Sequence, residues 1–202
     1  MANLITLSRL MLLIPLIWLA YREPTPWQLV NVPLMILIFV MDGLDGYVAR
    51  KRNETSLFGS MFDIAADRVV ELTMWVVAAD LDLVPVWVPL VIIVRSVAVD
   101  MIRSSGAASS GTRPFDLAYT KLTRWLVGGK FMRIAYAVVK AIAFTLLMLI
   151  LPLPALYPDV WIEFGQLLGG LAAVFVYVSV LLCIVRGAPV IGEFLYGLHA
   201  RV

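Results

Sequence analysis

The chain has almost no cysteine and almost no histidine. It contains one cysteine, Cys183, and one histidine, His199, among 202 residues. A single cysteine excludes an intrachain disulfide, and a single histidine at the C-terminal end argues against a zinc site and a Ser-His-Asp triad. Charged residues are scarce too, at 15% of the chain, against about a quarter in a typical soluble domain. Any metal site must therefore use oxygen ligands.

Apolar residues make up 62% of the chain and fall into long runs. A helix needs about 20 apolar residues to cross the hydrocarbon core of a bilayer. A polar stretch, Ser104–Arg113, follows the fourth run, and Pro114–Arg124 is predicted to start an interfacial helix. The sequence predicts a single all-α integral membrane domain over residues 1–202 with six transmembrane helices and this short interfacial helix. The predicted spans are about Leu4–Tyr21, Trp27–Arg50, Phe58–Ala79, Val84–Arg103, Val127–Leu151 and Val160–Val185.

Basic residues concentrate on one side of the predicted bundle. Arg22 is the only basic residue in the loops of the opposite side. Because short cytoplasmic loops carry an excess of lysine and arginine, we expect the basic side and both termini to face the cytoplasm, in the cell (inner) membrane. The acidic residues of the opposite loops are Glu23, Asp80, Asp82, Asp159 and Glu163.

Two neighbouring spans each carry two aspartates on one helical face. Asp42 and Asp45 are three residues apart near the end of the second span, and Asp63 and Asp67 are four apart near the start of the third. A short loop makes these helices antiparallel neighbours, so the four carboxylates are expected to converge near the cytoplasmic side. They would repel one another unless cations hold them. Oxygen-only ligands suit Mg²⁺, Mn²⁺ or Ca²⁺, and two ions about 4 Å apart suit phosphoryl chemistry.

Small residues alternate with these aspartates. Gly46, Ala49 and Gly59 leave space beside the carboxylates, although close helix packing is an alternative role for each. Arg50 at the helix end is placed to bind a phosphate, with anchoring at the membrane surface as its alternative.

The pattern D-x2-D-G-x2-A-R-x8-G-x3-D-x3-D resembles the signature of the CDP-alcohol phosphotransferases. The resemblance implies an enzyme that moves a substituted phosphoryl group from a CDP-linked donor to an alcohol and releases CMP. It also implies a bundle of six spans. The six predicted spans extend the resemblance, more loosely, to the whole chain. The matched positions are Asp42, Asp45, Gly46, Ala49, Arg50, Gly59, Asp63 and Asp67.

The resemblance also implies roles for these residues. Asp42, Asp45 and Asp63 would bind Mg²⁺ or Mn²⁺, and Asp67 would share a second ion and act as the general base. The cytidine-diphosphate pocket would consist of Gly46, Ala49, Arg50 and Gly59. Thr6 and Arg9 are predicted to help bind the donor, CDP-diacylglycerol, with an interfacial cap and anchor as the alternative. A homodimer is also implied, with Gly165, Gly169 and Gly170 permitting close packing, and no nucleic acid is expected as a partner.

A second set of basic residues, on later spans, predicts a pocket for the acceptor alcohol. Arg95 lies within an apolar run, so it should either bind an anion or pair with Asp100 or Glu71. A cationic pocket favours a phosphorylated alcohol, first glycerol-3-phosphate and alternatively inositol phosphate. The predicted pocket residues are Arg95, Lys130, Arg133 and Arg186.

The N-terminal segment bears on the same choice of acceptor. The segment Asn3–Arg9 is similar to that of bacterial phosphatidylglycerophosphate synthases. Those enzymes usually carry Arg-Glu where this chain has Arg95-Ser96, so inositol phosphate and other alcohols stay open.

Two functions of other classes fit a membrane bundle with acidic residues. One is a cation transporter, and the other is a non-catalytic scaffold. Clustering of the aspartates on one side, the interspersed glycines and the second, basic pocket argue against transport. A non-catalytic scaffold would not need the four aspartates.

Overall fold

The computed structural model describes residues 2–51, 57–110 and 129–199, and the side chains of 4–44, 59, 61–102, 129 and 131–195. The described residues form helices joined by short turns, and no strand occurs among them. The elements are α1 (Ala2–Ala20), a 3-10 helix (Pro26–Val30), α2 (Asn31–Lys51), α3 (Leu57–Asp80), α4 (Trp87–Ser110), α5 (Lys130–Ile150), α6 (Leu153–Leu156) and α7 (Pro158–His199).

The predicted all-α membrane fold is confirmed. Among the described residues, three segments are long and apolar enough to cross a bilayer: Pro26–Leu44, Phe131–Leu156 and Pro158–Leu195. Leu4–Ala20 is apolar but shorter. The protein is therefore an integral membrane protein, whereas the count of six spans stays a prediction.

Two helices run further than the hydropathy pattern predicts. The helix α4 continues to Ser110, through most of the polar stretch expected to follow the fourth span, and α7 continues past Val185 to His199. Hydropathy marks where a helix leaves lipid, but backbone hydrogen bonds continue until a residue breaks them. At 1.5 Å per residue, the 42 residues of α7 span about 63 Å, twice the roughly 30 Å hydrocarbon core. The predicted interfacial helix Pro114–Arg124 lies outside the described residues.

One compact unit comprises Met1–Val86 and Ala141–Val174. In it, α1 packs against both α2 and α3. Its core centres on Phe144, whose ring centroid lies 4.5 Å from that of Trp75 and 6.3 Å from that of Phe39. Aromatic pairs at these separations contribute beyond the area that they bury. This packing joins α2 and α3 to α5 within the unit.

Two buried amide side chains close the end of α1. Gln28 donates from Nε2 to the carbonyls of Ala20 at 3.3 Å and Arg22 at 2.8 Å. The amide of Asn31, oriented to satisfy both neighbours, donates to the Leu16 carbonyl at 3.2 Å and accepts from the Ala20 N–H at 3.3 Å. The last carbonyls of a helix have no partner inside the helix, and an unsatisfied one is costly in lipid. These amides therefore allow α1 to end where the chain turns.

The end of α3 is a Schellman motif. Asp82 has a φ of 56°, the left-handed conformation that glycine adopts most readily and aspartate tolerates. Its N–H donates to the Ala79 carbonyl at 3.1 Å, and the Leu83 N–H donates to the Ala78 carbonyl at 2.9 Å. The last carbonyls of α3 are satisfied in this way, so Asp82 has a conformational role besides its charge.

The second compact unit comprises Trp87–Lys140 and Phe175–Val202. It contains α4, the first half of α5 and the second half of α7. One face of α4 buries Val88, Ile92 and Val99 completely, a spacing that matches the helical repeat. At the start of α4, the Trp87 ring stacks on that of Tyr177 with 6.0 Å between centroids.

Large apolar side chains also cover much of the outer surface. Ile14 on α1 is 63% exposed and Ile162 on α7 is 81% exposed. Apolar surface of this extent marks contact with a partner or with a membrane, and lipid satisfies it without cost.

The three glycines predicted for close packing between subunits differ in their surroundings. The ring of Trp161 lies 2.8 Å from where a Cβ on Gly165 would be, so this glycine is already covered within its own helix. A Cβ on Gly169 or Gly170 would meet no described atom within 4 Å. The homodimer stays a prediction.

A hydrogen bond joins the ends of α1 and α3 that lie away from the aspartates. The Tyr21 hydroxyl donates to Oδ2 of Asp80 at 2.5 Å. This bond, burial and the charge of Asp80 raise the pKa of Tyr21 to about 12. A raised tyrosine pKa stabilises the folded state fully below the unfolded value of about 10, and that contribution disappears as the pH rises through 12.

We predict that Tyr21→Phe lowers the free energy of unfolding by about 1 kcal/mol at neutral pH, because one partly exposed hydrogen bond is lost. Thermal unfolding in detergent measures the change. Tyr157→Phe is the matched control, since Tyr157 is a similarly exposed tyrosine. Equal melting temperatures for the two variants would contradict a stabilising role for the Tyr21–Asp80 bond.

Candidate active and metal site

Three of the four predicted aspartates meet at one end of α1, α2 and α3. Asp42 lies just past the middle of α2, and Asp63 and Asp67 lie in the first three turns of α3. One oxygen from each carboxylate lies within 4.8 Å of the other two. At the other end, Tyr21 meets Asp80, so α1 and α3 run parallel and α2 runs antiparallel to both.

Several predicted site residues lie outside the described side chains. Asp45, Gly46, Ala49 and Arg50 belong to α2, and Lys130 is the first residue of α5, but only their backbone is described. Gly59 is described and lies one helical turn before Asp63. The role predicted for its small size stays a prediction.

Arg9 of α1 reaches into the carboxylate cluster. Its Nη1 donates to Oδ1 of Asp42, and its Nη2 lies 2.9 Å from Oδ1 of Asp67 and 3.6 Å from Oδ1 of Asp63. The Arg9 side chain is only 2% exposed, whereas those of Asp42, Asp63 and Asp67 are 36%, 42% and 47% exposed. The guanidinium therefore contacts the carboxylates from the buried side.

One guanidinium does not balance three carboxylates. With three negative charges and one positive charge, the described cluster has a net charge of −2. Two like charges 4 Å apart repel by about 4 kcal/mol at an effective dielectric constant of about 20. This cluster therefore favours a further cation.

The donor atoms fit a hard divalent cation. They are all carboxylate oxygens, which Mg²⁺ and Mn²⁺ prefer. Asp42, Asp63 and Asp67 would hold such an ion, since one oxygen of each lies within 4.8 Å of the others.

The contact between Arg9 and the aspartates was not predicted from the sequence. Arg9 was assigned to the donor, although a lone arginine in an apolar helix is a signal that it faces an acidic partner. Thr6, one turn earlier on the same face, is also buried, at 2% exposure. The face of α1 that carries both residues points toward α2 and α3.

Arg95 lies against α7 in the second unit. A Cβ on Gly187 would lie 2.5 Å from Nε and 2.7 Å from Cγ of Arg95, so only glycine leaves room for this side chain. The Nε atom is buried and has no hydrogen-bond partner among the described residues. Gly187 directly follows Arg186 in the sequence, so this contact places Arg95 beside that segment of α7.

Arg186 and Lys140 share one aromatic neighbour. The guanidinium of Arg186 and the ammonium of Lys140 each lie 5.3 Å from the ring centroid of Tyr136. Cations over an aromatic face at this distance are stabilised. Arg133 is exposed and lies one turn before Tyr136 on α5. Of the predicted acceptor residues, Arg95, Arg133 and Arg186 therefore belong to one unit.

An apolar groove of about 400 Å³ lies beside the helix that carries Asp42. Val40, two residues before Asp42, is part of its wall, and Thr145 supplies a hydroxyl. The groove runs between α2 and α5 within the first unit and is lined by Ile36, Phe39, Val40, Ala141, Ile142 and Thr145.

Sequence comparison identifies similar proteins. A sequence profile described as CDP-alcohol phosphatidyltransferase matches residues 1–185. A CDP-diacylglycerol–glycerol-3-phosphate 3-phosphatidyltransferase of Bacillus subtilis is 32% identical over 114 residues, and one of Rickettsia prowazekii is 35% identical over 68 residues. A cardiolipin synthase (CMP-forming) of Streptomyces coelicolor is 31% identical over 99 residues.

These pairwise similarities cover only parts of each protein. The alignments include 50% of this chain and 58% of the Bacillus protein, 34% and 38% for the Rickettsia protein, and 46% and 45% for the Streptomyces protein. The chain therefore spans less than two thirds of the relatives that it matches.

We predict that Asp63→Asn weakens Mn²⁺ binding at least about tenfold, because losing a ligand should cost no less than losing an outer partner of a ligand. Titration of the purified protein with Mn²⁺ in detergent measures the affinity. Asp159→Asn, in the first turn of α7, is the control with the same change of charge. Unchanged affinity in Asp63→Asn would remove Asp63 from the metal site.

Proposed function

Because the chain belongs to the CDP-alcohol phosphatidyltransferase family, we propose that it is a membrane enzyme of phospholipid synthesis. It transfers the phosphatidyl group of CDP-diacylglycerol to glycerol-3-phosphate and releases CMP. The observation that carries this proposal is the convergence of Asp42, Asp63 and Asp67 within 4.8 Å, in a chain whose match to the family covers residues 1–185.

The carboxylates have two roles in this reaction. Asp42, Asp45 and Asp63 hold Mg²⁺ or Mn²⁺, which supplies neutralisation of the negative charge on the diphosphate and on the departing CMP. Asp67 shares the site and accepts the proton of the acceptor hydroxyl. The hydroxyl oxygen then forms a bond to the phosphorus that carries the diacylglycerol, and the bond from that phosphorus to CMP breaks. The partial exposure of Asp67 supports its access to a soluble acceptor.

Donor binding is assigned to the helix ends around the carboxylates. Gly46, Ala49, Arg50 and Gly59 form the cytidine-diphosphate pocket, and Thr6 and Arg9 contribute from α1. The apolar groove beside Asp42 supports a lipid donor, since an acyl chain gains about 0.8 kcal/mol for each CH₂ group that it buries. Small residues beside the carboxylates leave room for the nucleotide.

A phosphorylated alcohol is the proposed acceptor. Arg95, Lys130, Arg133 and Arg186 would bind its phosphate, and the buried Nε of Arg95 without a described partner supports a ligand there. Two of the relatives named above are glycerol-3-phosphate 3-phosphatidyltransferases, which supports the choice of glycerol-3-phosphate over inositol phosphate. The similarity to a cardiolipin synthase makes a lipid-borne alcohol a further candidate.

The proposed orientation places the active site at the cytoplasmic face of the inner membrane, with both termini inside. Basic residues flank the site in the sequence, and the positive-inside rule predicts that such residues face the cytoplasm. At the opposite end of α1, the Arg22 guanidinium lies 4.0 Å from the ring centroid of Trp18, an arrangement typical of a membrane interface. We also propose that residues 1–202 form a single domain and that the protein is a homodimer.

The deciding experiment offers a panel of alcohols with CDP-diacylglycerol to the protein in liposomes. We expect CMP release with glycerol-3-phosphate and little with inositol phosphate, serine or a lipid-borne glycerol. A chelator should stop the reaction, because the proposed chemistry needs a divalent ion. The control is Asp67→Asn, which should release no CMP while still binding the donor.

Each outcome of the panel discriminates between functions. Preference for inositol phosphate or a lipid alcohol would change the acceptor but keep the enzyme class. Full activity in chelator or in Asp67→Asn would contradict the roles given to the carboxylates. Cation flux across the liposome membrane without CMP release would favour a transporter.

We predict that Arg95→Ala raises the KM for the acceptor at least about tenfold, because a hydrogen bond to a charged group contributes roughly 1.5–3 kcal/mol. The KM for CDP-diacylglycerol should change much less. Steady-state rates with each substrate varied in turn measure both constants, and Arg22→Ala is the control arginine. A larger effect on the donor KM would show that Arg95 belongs to a different subsite.

A further inference from the structure

We propose that Gly187 is a positioning residue of the acceptor site, because its bare Cα is the surface against which the Arg95 side chain lies. The inference deepens the proposed function and rests on it, since it takes Arg95 as a ligand of the acceptor phosphate. It gives a role in substrate binding to a residue that has no side chain and belongs to no motif in the sequence.

The contact involves the middle of the Arg95 side chain. A Cβ on Gly187 would lie 2.5 Å from Nε, 2.7 Å from Cγ and 3.1 Å from Cδ of Arg95. Three consecutive atoms of the side chain therefore lie along the backbone of α7 at this one residue. Favourable contacts between carbon atoms lie at about 3.5–4.0 Å, so any side chain on residue 187 would displace this part of Arg95.

Two contacts define how α4 and α7 run beside each other in the second unit. The Trp87 ring stacks on that of Tyr177, and Arg95 lies against Gly187, which is buried. At 1.5 Å per residue, these contacts are about 12 Å apart along α4 and about 15 Å apart along α7. The two helices therefore run parallel from one contact to the other, and the stem of Arg95 lies between them.

A stem held between two helices limits the directions that the guanidinium can take. An arginine side chain loses rotamer freedom when it binds a ligand, and a side chain already held in its binding conformation avoids much of that cost. The Nε atom is the one nearest to the Cβ position of Gly187, and it is buried without a hydrogen-bond partner among the described residues. A methyl group on residue 187 would therefore move an N–H donor as well as the stem.

The contact also sets the level of α7 at which Arg95 lies. Arg186 directly precedes Gly187, so the Arg95 stem meets α7 about 1.5 Å along the axis from Arg186. The Arg186 guanidinium lies over the ring of Tyr136. One arginine from α4 and one from α7 at the same level suit an anion with several oxygens, such as a phosphate monoester, because guanidinium groups bind such oxygens in a fork geometry.

The test compares Gly187→Ala with Gly192→Ala. Gly192 is the matched control, because it lies on the same helix and a Cβ there would meet no described atom within 4 Å. The first readout is the pair of KM values for glycerol-3-phosphate and CDP-diacylglycerol, measured by CMP release. The second is the Kd for glycerol-3-phosphate by calorimetry in detergent, which needs no turnover. Arg95→Ala and the double variant with Gly187→Ala complete a double-mutant cycle.

For Gly187→Ala we expect the KM and the Kd for glycerol-3-phosphate to rise about tenfold, because a displaced Arg95 loses its charged hydrogen bond to the phosphate. The KM for CDP-diacylglycerol should change by less than about twofold, since the donor does not contact Arg95 in this proposal. In the Arg95→Ala background, Gly187→Ala should change the Kd by less than about twofold, because its effect acts through Arg95. Gly192→Ala should match the wild type in every readout.

Melting temperatures separate a positioning role from a loss of the fold. Because Arg95 is a flexible side chain that can swing away from a methyl group, Gly187→Ala should melt within about 3 °C of the wild type. If Gly187→Ala does not fold, the double variant decides, because truncating Arg95 removes the atoms that the new Cβ would meet. The double variant should then melt as Arg95→Ala does. A double variant that also fails to fold would overturn the inference, since the Cβ would collide with another group.

Four further results would overturn the inference. These are equal glycerol-3-phosphate binding in Gly187→Ala and Gly192→Ala, an equal rise in both KM values, an undiminished effect of Gly187→Ala in the Arg95→Ala background, and no glycerol-3-phosphate binding by the wild type. The proposed function fails separately, if the wild type binds glycerol-3-phosphate through Arg95 and Gly187 yet releases no CMP from CDP-diacylglycerol.

Discussion

Mutual repulsion among carboxylates is the constraint on which the rest of this bundle depends. Asp42, Asp63 and Asp67 come together because α2 and α3 both pack against α1, in a protein where uncompensated charge is expensive. Arg9 on α1 contacts these carboxylates, so a segment outside the aspartate motif becomes part of the site. The remaining negative charge favours binding of a divalent cation, which the proposed chemistry requires.

The two ends of the first unit are built differently for this reason. The end that carries Tyr21 is closed by Gln28, Asn31 and the Schellman turn at Asp82, which satisfy the backbone groups of α1 and α3. The end that carries Arg9 contains charged groups, because Arg9 meets the three aspartates there.

Cations in the second unit contact a glycine and an aromatic ring. The side chain of Arg95 passes Gly187 only because that residue has no Cβ, and Arg186 and Lys140 lie over the ring of Tyr136. Both contacts involve neutral groups: the glycine leaves space for the arginine stem, and the ring face stabilises the two cations.

Local pattern by itself determined the all-α membrane fold and the shared face of Asp63 and Asp67, because hydropathy and helical spacing act over neighbouring residues. It did not determine where α4 and α7 end, since a helix outlasts its apolar stretch when no residue breaks it. Only the tertiary structure decided that Arg9 meets the aspartates and that Arg95 lies against Gly187. These partners are far apart in the chain, and periodicity states which residues share a helical face but not which faces meet.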